Sequence, residues 1–227
     1  MNRLVKLALT WAVLASLSLA PAANGLQAEQ PDAPVRIGSK AFTESHILAE
    51  IAAQLLESEG FKVERRLGLG GTLIAFEALQ SNSIDLYPEY TGTLTQAVLQ
   101  QPGMTPKQLE DALLSRGLSL HVPLGFNNSY AIAIDRAIAE RHSIKRISDL
   151  AKHPDLVFGF SLEFLNRADG WPALRQAYHL PQAARGLEHA LAYRAVASGD
   201  LNVTDAYTTD GELDAYDLRL LQDDQSF

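Results

Sequence analysis

The sequence of 227 residues contains no cysteine. Disulfide bonds, thiolate metal sites, a cysteine nucleophile and a lipid carried on an N-terminal cysteine are therefore excluded. Basic residues are outnumbered, with 19 Lys and Arg against 27 Asp and Glu, and a net charge of −8 argues against a nucleic-acid-binding protein. Apolar residues make up 47% of the chain, so we expect one large or two small globular domains held together by packing.

Long apolar runs are also missing after the N-terminus. Arg3 and Lys6 precede an apolar run over residues 7–20, and small residues follow it. The run falls short of the roughly 20 residues that span a bilayer, and the order is typical of a secretory signal peptide. We predict a signal peptide over residues 1–23, cleaved after about Ala22, and a disordered lead-in over residues 24–34. The expected location is the Gram-negative periplasm, without membrane insertion of the mature chain.

The remaining chain alternates predicted strands and helices, which favours an α/β fold. A strand over residues 35–38, a helix over 43–59, a strand over 61–67, a helix over 72–79 and a strand over 84–87 predict helices on a largely parallel sheet. Further elements are expected at residues 105–116 (begun by a capping box of Thr105 and Gln108), 130–134, 136–141, 148–152, 156–160, 172–179 (capped by Asp169), 187–198, 201–207 and 218–221. The alternation breaks near residues 121–130 and 214–220. Two α/β lobes joined by strand-like crossings fit this pattern, and one doubly wound domain is the alternative.

Signals for catalysis and for cofactors are weak. The chain has no G-x-S-x-G sequence, and its six histidines, which we interpret as solvated, form no metal-ligand spacing. The glycine-rich residues 68–71 lack both the third glycine of a dinucleotide fingerprint and a Walker lysine. We therefore expect no metal, no cofactor and no enzymatic activity.

The tyrosines carry the most chemistry. Of seven, four lie in residues 87–93, 127–131 and 205–211, where predicted strands meet loops. Open α/β sheets place their ligands at such positions. Because the face of a tyrosine ring attracts cations, a group of these rings would suit a quaternary ammonium ion, which has no N–H to donate.

Four ordered blocks, at residues 37–44, 87–93, 163–170 and 205–211, resemble the substrate-binding proteins of glycine betaine/carnitine/choline ABC transporters. The resemblance runs from about residue 35 to the end. It implies a type II periplasmic-binding fold with two α/β lobes, a hinge, a zwitterionic or cationic quaternary ammonium ligand in the cleft, and ABC permease subunits as partners. The residues it implies for the ligand are Tyr90, Tyr130 and Tyr207 as a cage, Lys40, Thr93 and Arg167 for a carboxylate, and Asn128 near the cage mouth.

The resemblance also implies domain boundaries. Lobe one is expected over residues 35–127, lobe two over 128–217, and a return crossing to lobe one begins at residues 218–227. Members of the family usually continue for several dozen residues beyond this point. We therefore expect that the C-terminal part of lobe one is missing, either in a truncated product or in a short form completed by a partner.

Three other functions stay open from sequence. A receptor for an amino acid or an organic anion on the same scaffold would need an acidic partner for a primary ammonium, and Glu89 or Asp205 could serve. An exported hydrolase would need an unrecognised site. The effector half of a transcription regulator shares the scaffold, but the predicted export signal and the absence of a DNA-binding segment argue against it.

Overall fold

The computed structural model describes residues 33–121 and 123–227. The predicted signal peptide and most of the predicted lead-in lie outside these residues. Seven strands are present, namely β1 (Val35–Gly38), β2 (Val63–Arg66), β3 (Tyr130–Asp135), β4 (Phe158–Ser161), β5 (Ala184–Leu187), β6 (Val203–Tyr207) and β7 (Leu218–Leu220). The α-helices are α1 (Thr43–Ser58), α2 (Thr72–Gln80), α3 (Thr91–Thr93), α4 (Pro106–Leu114), α5 (Arg136–Arg141), α6 (Leu162–Asn166), α7 (Trp171–Ala177), α8 (His189–Ala197) and α9 (Glu212–Ala215).

The described strands form two separate sheets rather than one doubly wound sheet. Strands β1 and β2 pair in parallel, with Val35 opposite Val63, and Leu86 adds a single parallel bridge to Ile37. The other sheet has the order β5-β4-β6-β3-β7, in which β4 is parallel to β5 and β6 while β3 is antiparallel to β6 and β7. We refer to the elements β1 to α4 as the first lobe and to β3 to β7 as the second lobe.

Local sequence signals account for some element ends and not for others. Helix α4 begins after Thr105, whose side chain accepts from the Gln108 backbone N–H while the Gln108 side chain accepts from Thr105, so the predicted capping box is confirmed. The strand predicted over residues 84–87 is reduced to the one bridge at Leu86. Asp169 does not cap α7, because Gly170 holds the N-cap position and the Asp169 carboxylate is bonded to the Arg167 guanidinium.

The largest core lies in the second lobe. Phe158, Phe160, Phe164 and Trp171 pack there with ring centroids 4.8–5.8 Å apart. The first lobe buries smaller groups, one around Ile37 and α1 and another between α2 and α4. Aromatic packing thus makes the second lobe a firm support for the residues at the ends of its strands.

Helix α1 packs on β1 through its small residues. Ala49 and Ala53 are completely buried, whereas Ile47, Ile51 and Leu55 are 54%, 51% and 62% exposed. Large apolar side chains of α1 therefore face solvent in part. None of the helices in residues 33–121 and 123–227 combines the length and the hydrophobicity that a membrane crossing requires.

Candidate functional site

Three of the predicted tyrosines lie where elements begin or end. Tyr130 is the first residue of β3 and Tyr207 is the last residue of β6. Because β3 and β6 run antiparallel with Tyr130 opposite Tyr207, the two side chains lie on the same face at one end of the sheet. Tyr90 lies in the first lobe, immediately before α3. The fold therefore supplies tyrosines to the site from both lobes.

The rings are linked through a phenylalanine that the sequence interpretation left out. The ring centroids of Tyr130 and Tyr207 are 5.0 Å apart and their phenol oxygens are 3.4 Å apart. Phe42, the residue before α1, has its ring 4.9 Å from Tyr207 and 6.4 Å from Tyr90. We call Phe42, Tyr90, Tyr130 and Tyr207 the aromatic cluster. The structure places Tyr130 in direct contact with Tyr207 and connects Tyr90 to them through Phe42.

The phenols of this cluster remain protonated at neutral pH. Burial is the main cause that raises the pKa of Tyr90, Tyr130 and Tyr207 above the ordinary value for tyrosine. Hydrogen bonding to Glu44 adds to the increase at Tyr90, and the neighbouring phenol adds to it at Tyr207. The rings therefore offer neutral, electron-rich faces.

Lys40 forms a buried ion pair at one side of the cluster. Its Nζ lies 2.7 Å from Glu89 Oε1, and the two side chains are only 6% and 7% exposed. The same ammonium lies 5.2 Å from the centroid of Tyr90 and 5.6 Å from that of Phe42. Glu89 also accepts from the Tyr90 backbone N–H at 2.8 Å. Lys40 thus lies beside the rings with a carboxylate of the protein as its partner. Its binding to a ligand carboxylate stays a prediction.

Arg167 lies on the opposite side, beside the second-lobe tyrosines. Its guanidinium carbon is 5.3 Å from the Tyr130 centroid, and two of its nitrogens donate to Asp169 at 2.6 and 2.9 Å. Its Nη1 is buried and has no hydrogen-bond partner within the part of the chain that the structure describes, since the nearest carboxylate oxygen, on Glu163, is 3.7 Å away. Burial alone would lower the pKa of Arg167, but the Asp169 carboxylate raises it. Arg167 is therefore a cation held in place by Asp169, and its Nη1 is available to donate a hydrogen bond.

The other two predicted residues differ in their surroundings. Asn128 Nδ2 donates to Glu44 Oε1 at 2.8 Å, and the Tyr90 phenol donates to the same oxygen, so Asn128 lies beside the cluster. Its own Oδ1 is buried without a hydrogen-bond partner in the described ranges. Thr93 is the last residue of α3 and is half-buried. The structure therefore connects Asn128, but not Thr93, to the aromatic cluster.

Two carboxylates join the lobes near the site. Glu163, which follows β4, accepts from the Thr72 backbone N–H at 3.1 Å and from the Thr72 hydroxyl. Thr72 begins α2, whose N-cap residue Gly71 makes no side-chain cap, so Glu163 supplies the cap from the other lobe. A Cβ on Gly71 would lie 2.9 Å from Glu163 Oε2, so a larger residue there would displace the Glu163 carboxylate. Glu212 accepts from the hydroxyl of Thr43, the first residue of α1, at 2.9 Å.

A pocket of about 400 Å³ lies between helix α1 and the segment of residues 209–212. Its walls include Glu44 and Ile47 from α1, Phe126, and the segment of residues 209–212. The volume is within the range of small-molecule sites. The residues of the aromatic cluster do not line this pocket, and Glu44, whose Oε1 accepts from Tyr90 and Asn128, links the pocket to the aromatic cluster.

The interpretation of all six histidines as solvated is wrong for His189. Its side chain is 10% exposed, with Nε2 2.9 Å from Asp210 and the ring against Tyr207. His46 is also half-buried, and its Nε2 is buried beside Gly68. The carboxylates of Glu44 and Glu163 were likewise missed. Their partners lie in distant parts of the chain, and the sequence held no signal for them beyond membership of the quoted blocks.

Comparisons with known proteins agree with this architecture. Residues 33–227 match the model of the family described as the substrate-binding domain of ABC-type glycine betaine transport systems. The "ergothioneine transport permease/ergothioneine binding protein" of Helicobacter pylori is 34% identical over 86% of this chain and 36% of its own length. The "glycine-betaine-binding protein" of Pseudomonas aeruginosa is 34% identical over 100% of this chain and 76% of its own length.

A solved structure gives the same result for the fold. The "glycine betaine/carnitine/choline ABC transporter" structure is 28% identical, covers 84% of this chain and 74% of that chain, and superposes with a TM-score of 0.57. The α/β periplasmic-binding fold with two lobes, which the sequence implied through its resemblance, is therefore confirmed. The boundary between residues 127 and 128 stays a prediction. The chain belongs to the family of substrate-binding domains of ABC-type glycine betaine transport systems.

Proposed function

We propose that this protein is a periplasmic receptor that captures glycine betaine or a related quaternary ammonium compound and delivers it to an ABC importer. The observation that carries the proposal is the aromatic cluster, which joins Phe42 and Tyr90 of one lobe to Tyr130 and Tyr207 of the other. The two relatives quoted above support a solute receptor. Binding and release are the whole of the activity, and no bond is made or broken.

The chemistry of the cleft suits a methylated nitrogen. A quaternary ammonium ion has no N–H, so carboxylates cannot bind it through hydrogen bonds, whereas ring faces attract it and cover its methyl groups. Each such ring contributes about 0.5–2 kcal/mol, depending on how far the site is desolvated. The rival interpretation, a primary ammonium bound by Glu89 or Asp205, is disfavoured because Glu89 is paired with Lys40 and Asp205 accepts from Ser161.

A carboxylate on the ligand has donors within reach of the same cluster. The unpartnered Nη1 of Arg167 is one, and the Lys40 ammonium, which has three N–H groups and one Glu89 contact, is another. Hydrogen bonds to charged groups contribute about 1.5–3 kcal/mol each. Two of these bonds and three ring contacts contribute about 4.5–12 kcal/mol before the cost of ordering, a range that includes the roughly −8 kcal/mol of micromolar affinity.

Capture would be coupled to closure of the lobes. A ligand among the aromatic rings touches both lobes at once, so it binds the closed form more tightly and shifts the population toward that form. The contacts of Glu163 with Thr72 and of Glu212 with Thr43 would form at the same step. The permease would then recognise the closed receptor. The predicted N-terminal signal peptide is the basis for placing this receptor in the periplasm.

Isothermal titration calorimetry tests the proposal. Glycine betaine, carnitine and choline would be titrated into the purified protein, with glycine and arginine as ligands that carry primary ammonium groups. We expect saturable binding of at least one quaternary ammonium compound and weaker binding of both amino acids. Tighter binding of an amino acid, or turnover of an ester or peptide that a cleft substitution abolishes, would overturn the proposal.

A matched pair of substitutions separates the ring from its hydroxyl. Tyr207→Phe keeps the ring and removes only the phenol oxygen, so affinity should change by less than about threefold. Tyr207→Ala removes the ring and should weaken binding by about tenfold or more. Tyr178→Phe, outside the cleft where the phenol bonds to Asp223, is the control for general effects on stability.

A further inference from the structure

A buried ionic cluster lies behind Tyr207. His189, the first residue of α8, has its Nε2 2.9 Å from Asp210 Oδ2 and its Nδ1 3.7 Å from Asp205 Oδ2. Asp205 is fully buried and accepts from the backbone N–H and the hydroxyl of Ser161, both at 2.6 Å. We call His189, Asp205 and Asp210 the histidine cluster. None of its members was assigned a role in capturing the ligand.

The histidine cluster is in direct contact with the aromatic cluster. The imidazole and the Tyr207 ring have centroids 4.4 Å apart and planes inclined by 33°, so the imidazole lies against one face of that ring. Asp210 also accepts from the Tyr207 backbone N–H at 3.1 Å. The position of the Tyr207 ring and the charge behind it are therefore both set by this cluster.

The imidazole is charged at neutral pH. Burial by itself would lower its pKa, but the carboxylates of Asp205 and Asp210 outweigh burial and raise the pKa of His189 to about 9. With His189 protonated, the three groups carry a net charge of −1, and with His189 neutral they carry −2. The charge of the histidine cluster therefore changes by one unit as the pH rises from 7 through about 9.

We propose that His189 is a specificity-determining residue of the cleft, which weakens the binding of monocations relative to zwitterions. The imidazolium occupies one face of Tyr207 and offsets one of the two carboxylate charges, so the cluster attracts a cation on the other face of the ring less strongly than it would with a neutral imidazole. A zwitterion also carries a carboxylate, which the imidazolium attracts. Protonation of His189 therefore weakens the binding of a zwitterion less than the binding of a monocation. This inference rests on the proposed function, because it requires the ligand to lie against the aromatic cluster.

The tyrosines that lie near His189 do not titrate in the same range. Asp205 on β6 and Asp210 after β6 are the carboxylates that hold it, and Tyr193 on α8 lies with its ring 5.0 Å away and donates to Asp210 at 2.5 Å. Burial raises the pKa of Tyr193 and of Tyr207 well above the ordinary tyrosine value. The protonation change near pH 9 is thus that of His189.

The test compares choline, a monocation, with glycine betaine, a zwitterion. Both ligands keep their charges between pH 7 and 9.5, and their dissociation constants would be measured by calorimetry at both pH values. We expect the ratio of the choline Kd to the betaine Kd to fall by about three- to tenfold at pH 9.5. In His189→Gln, which is neutral and can still donate to Asp210, the ratio should already be low at pH 7 and should not change with pH.

Each result has a distinct meaning. A merely structural role for His189 would weaken both ligands by the same factor and leave the ratio unchanged, which would overturn the inference. A ratio that moves with pH equally in His189→Gln would overturn it as well, because the titrating group would be another residue. The pH comparison on the native chain decides the question if the variant does not fold. Binding of neither ligand would contradict the proposed function, whereas binding with a constant ratio contradicts only the role of His189.

Discussion

Removing the charge of Glu89 should destabilise the protein strongly. The Lys40–Glu89 pair has an N–O distance of 2.7 Å and is almost fully buried. Glu89→Gln is isosteric and can still accept from the Tyr90 backbone N–H, so the substitution removes the charge and, at Oε2, the acceptor of the Tyr87 hydroxyl. Breaking a buried ion pair on one side leaves an uncompensated charge and costs about 3–5 kcal/mol. We therefore expect a loss of about that size in the free energy of unfolding.

Urea denaturation at pH 7, followed by tryptophan fluorescence, measures this loss. The control is the double variant Lys40→Met with Glu89→Gln, which has no charge left to bury and should recover most of the stability of the native chain. A Glu89→Gln variant within about 1 kcal/mol of the native chain would refute the reasoning. So would a double variant that is as unstable as the sum of the two single variants, because the two charges would then not interact.

Three further predictions concern other parts of the molecule. Because the pKa of His189 is raised to about 9, protonated His189 stabilises the fold fully below pH 6.5, and this stabilisation is lost as the pH rises through 9. Urea unfolding should therefore show that the native chain loses about 3 kcal/mol of stability between pH 6 and pH 9.5, whereas His189→Gln does not. Equal losses in the native chain and in the variant would contradict this prediction. Thr72→Val removes the hydroxyl that donates to Glu163. Calorimetry should show ligand binding weakened by about tenfold, with little change in the midpoint of unfolding. Unchanged affinity would exclude a role of the Thr72–Glu163 contact in closure. Gly159→Ala would place a Cβ 2.5 Å from Leu201 Cδ1. Thermal unfolding should show a loss of about 1–3 kcal/mol in the free energy of unfolding. Unchanged stability would mean that the core side chains rearrange around the added methyl group without cost.

Patterns that depend on neighbouring residues predicted the fold well. The capping box at Thr105 and Gln108 is a local exchange of hydrogen bonds, and it begins α4 as expected. The approach of Tyr130 to Tyr207 also follows from short-range information, because each ends or begins a strand and strand ends converge at one edge of the sheet. Phe42 was missed for the opposite reason, since a phenylalanine before a helix is most often a packing residue.

Features that depend on distant partners could not be predicted from periodicity or spacing. Glu163 caps a helix that starts 91 residues earlier, and nothing near either residue indicates the pairing. His189 lies between polar and small residues, and only the fold brings Asp205 and Asp210 to its ring. Asp169 has the side chain of an N-cap residue, but the nearby Arg167 takes its carboxylate instead. In these cases the tertiary structure selects one of several partners that the local sequence permits.

The most direct measurement is a crystal structure of this protein with glycine betaine bound. The account predicts the trimethylammonium nitrogen within about 6 Å of the ring centroids of Tyr130 and Tyr207, with the ligand carboxylate accepting a hydrogen bond from Arg167. A ligand located away from these rings, or one whose carboxylate lies among them and whose ammonium lies outside, would contradict the account.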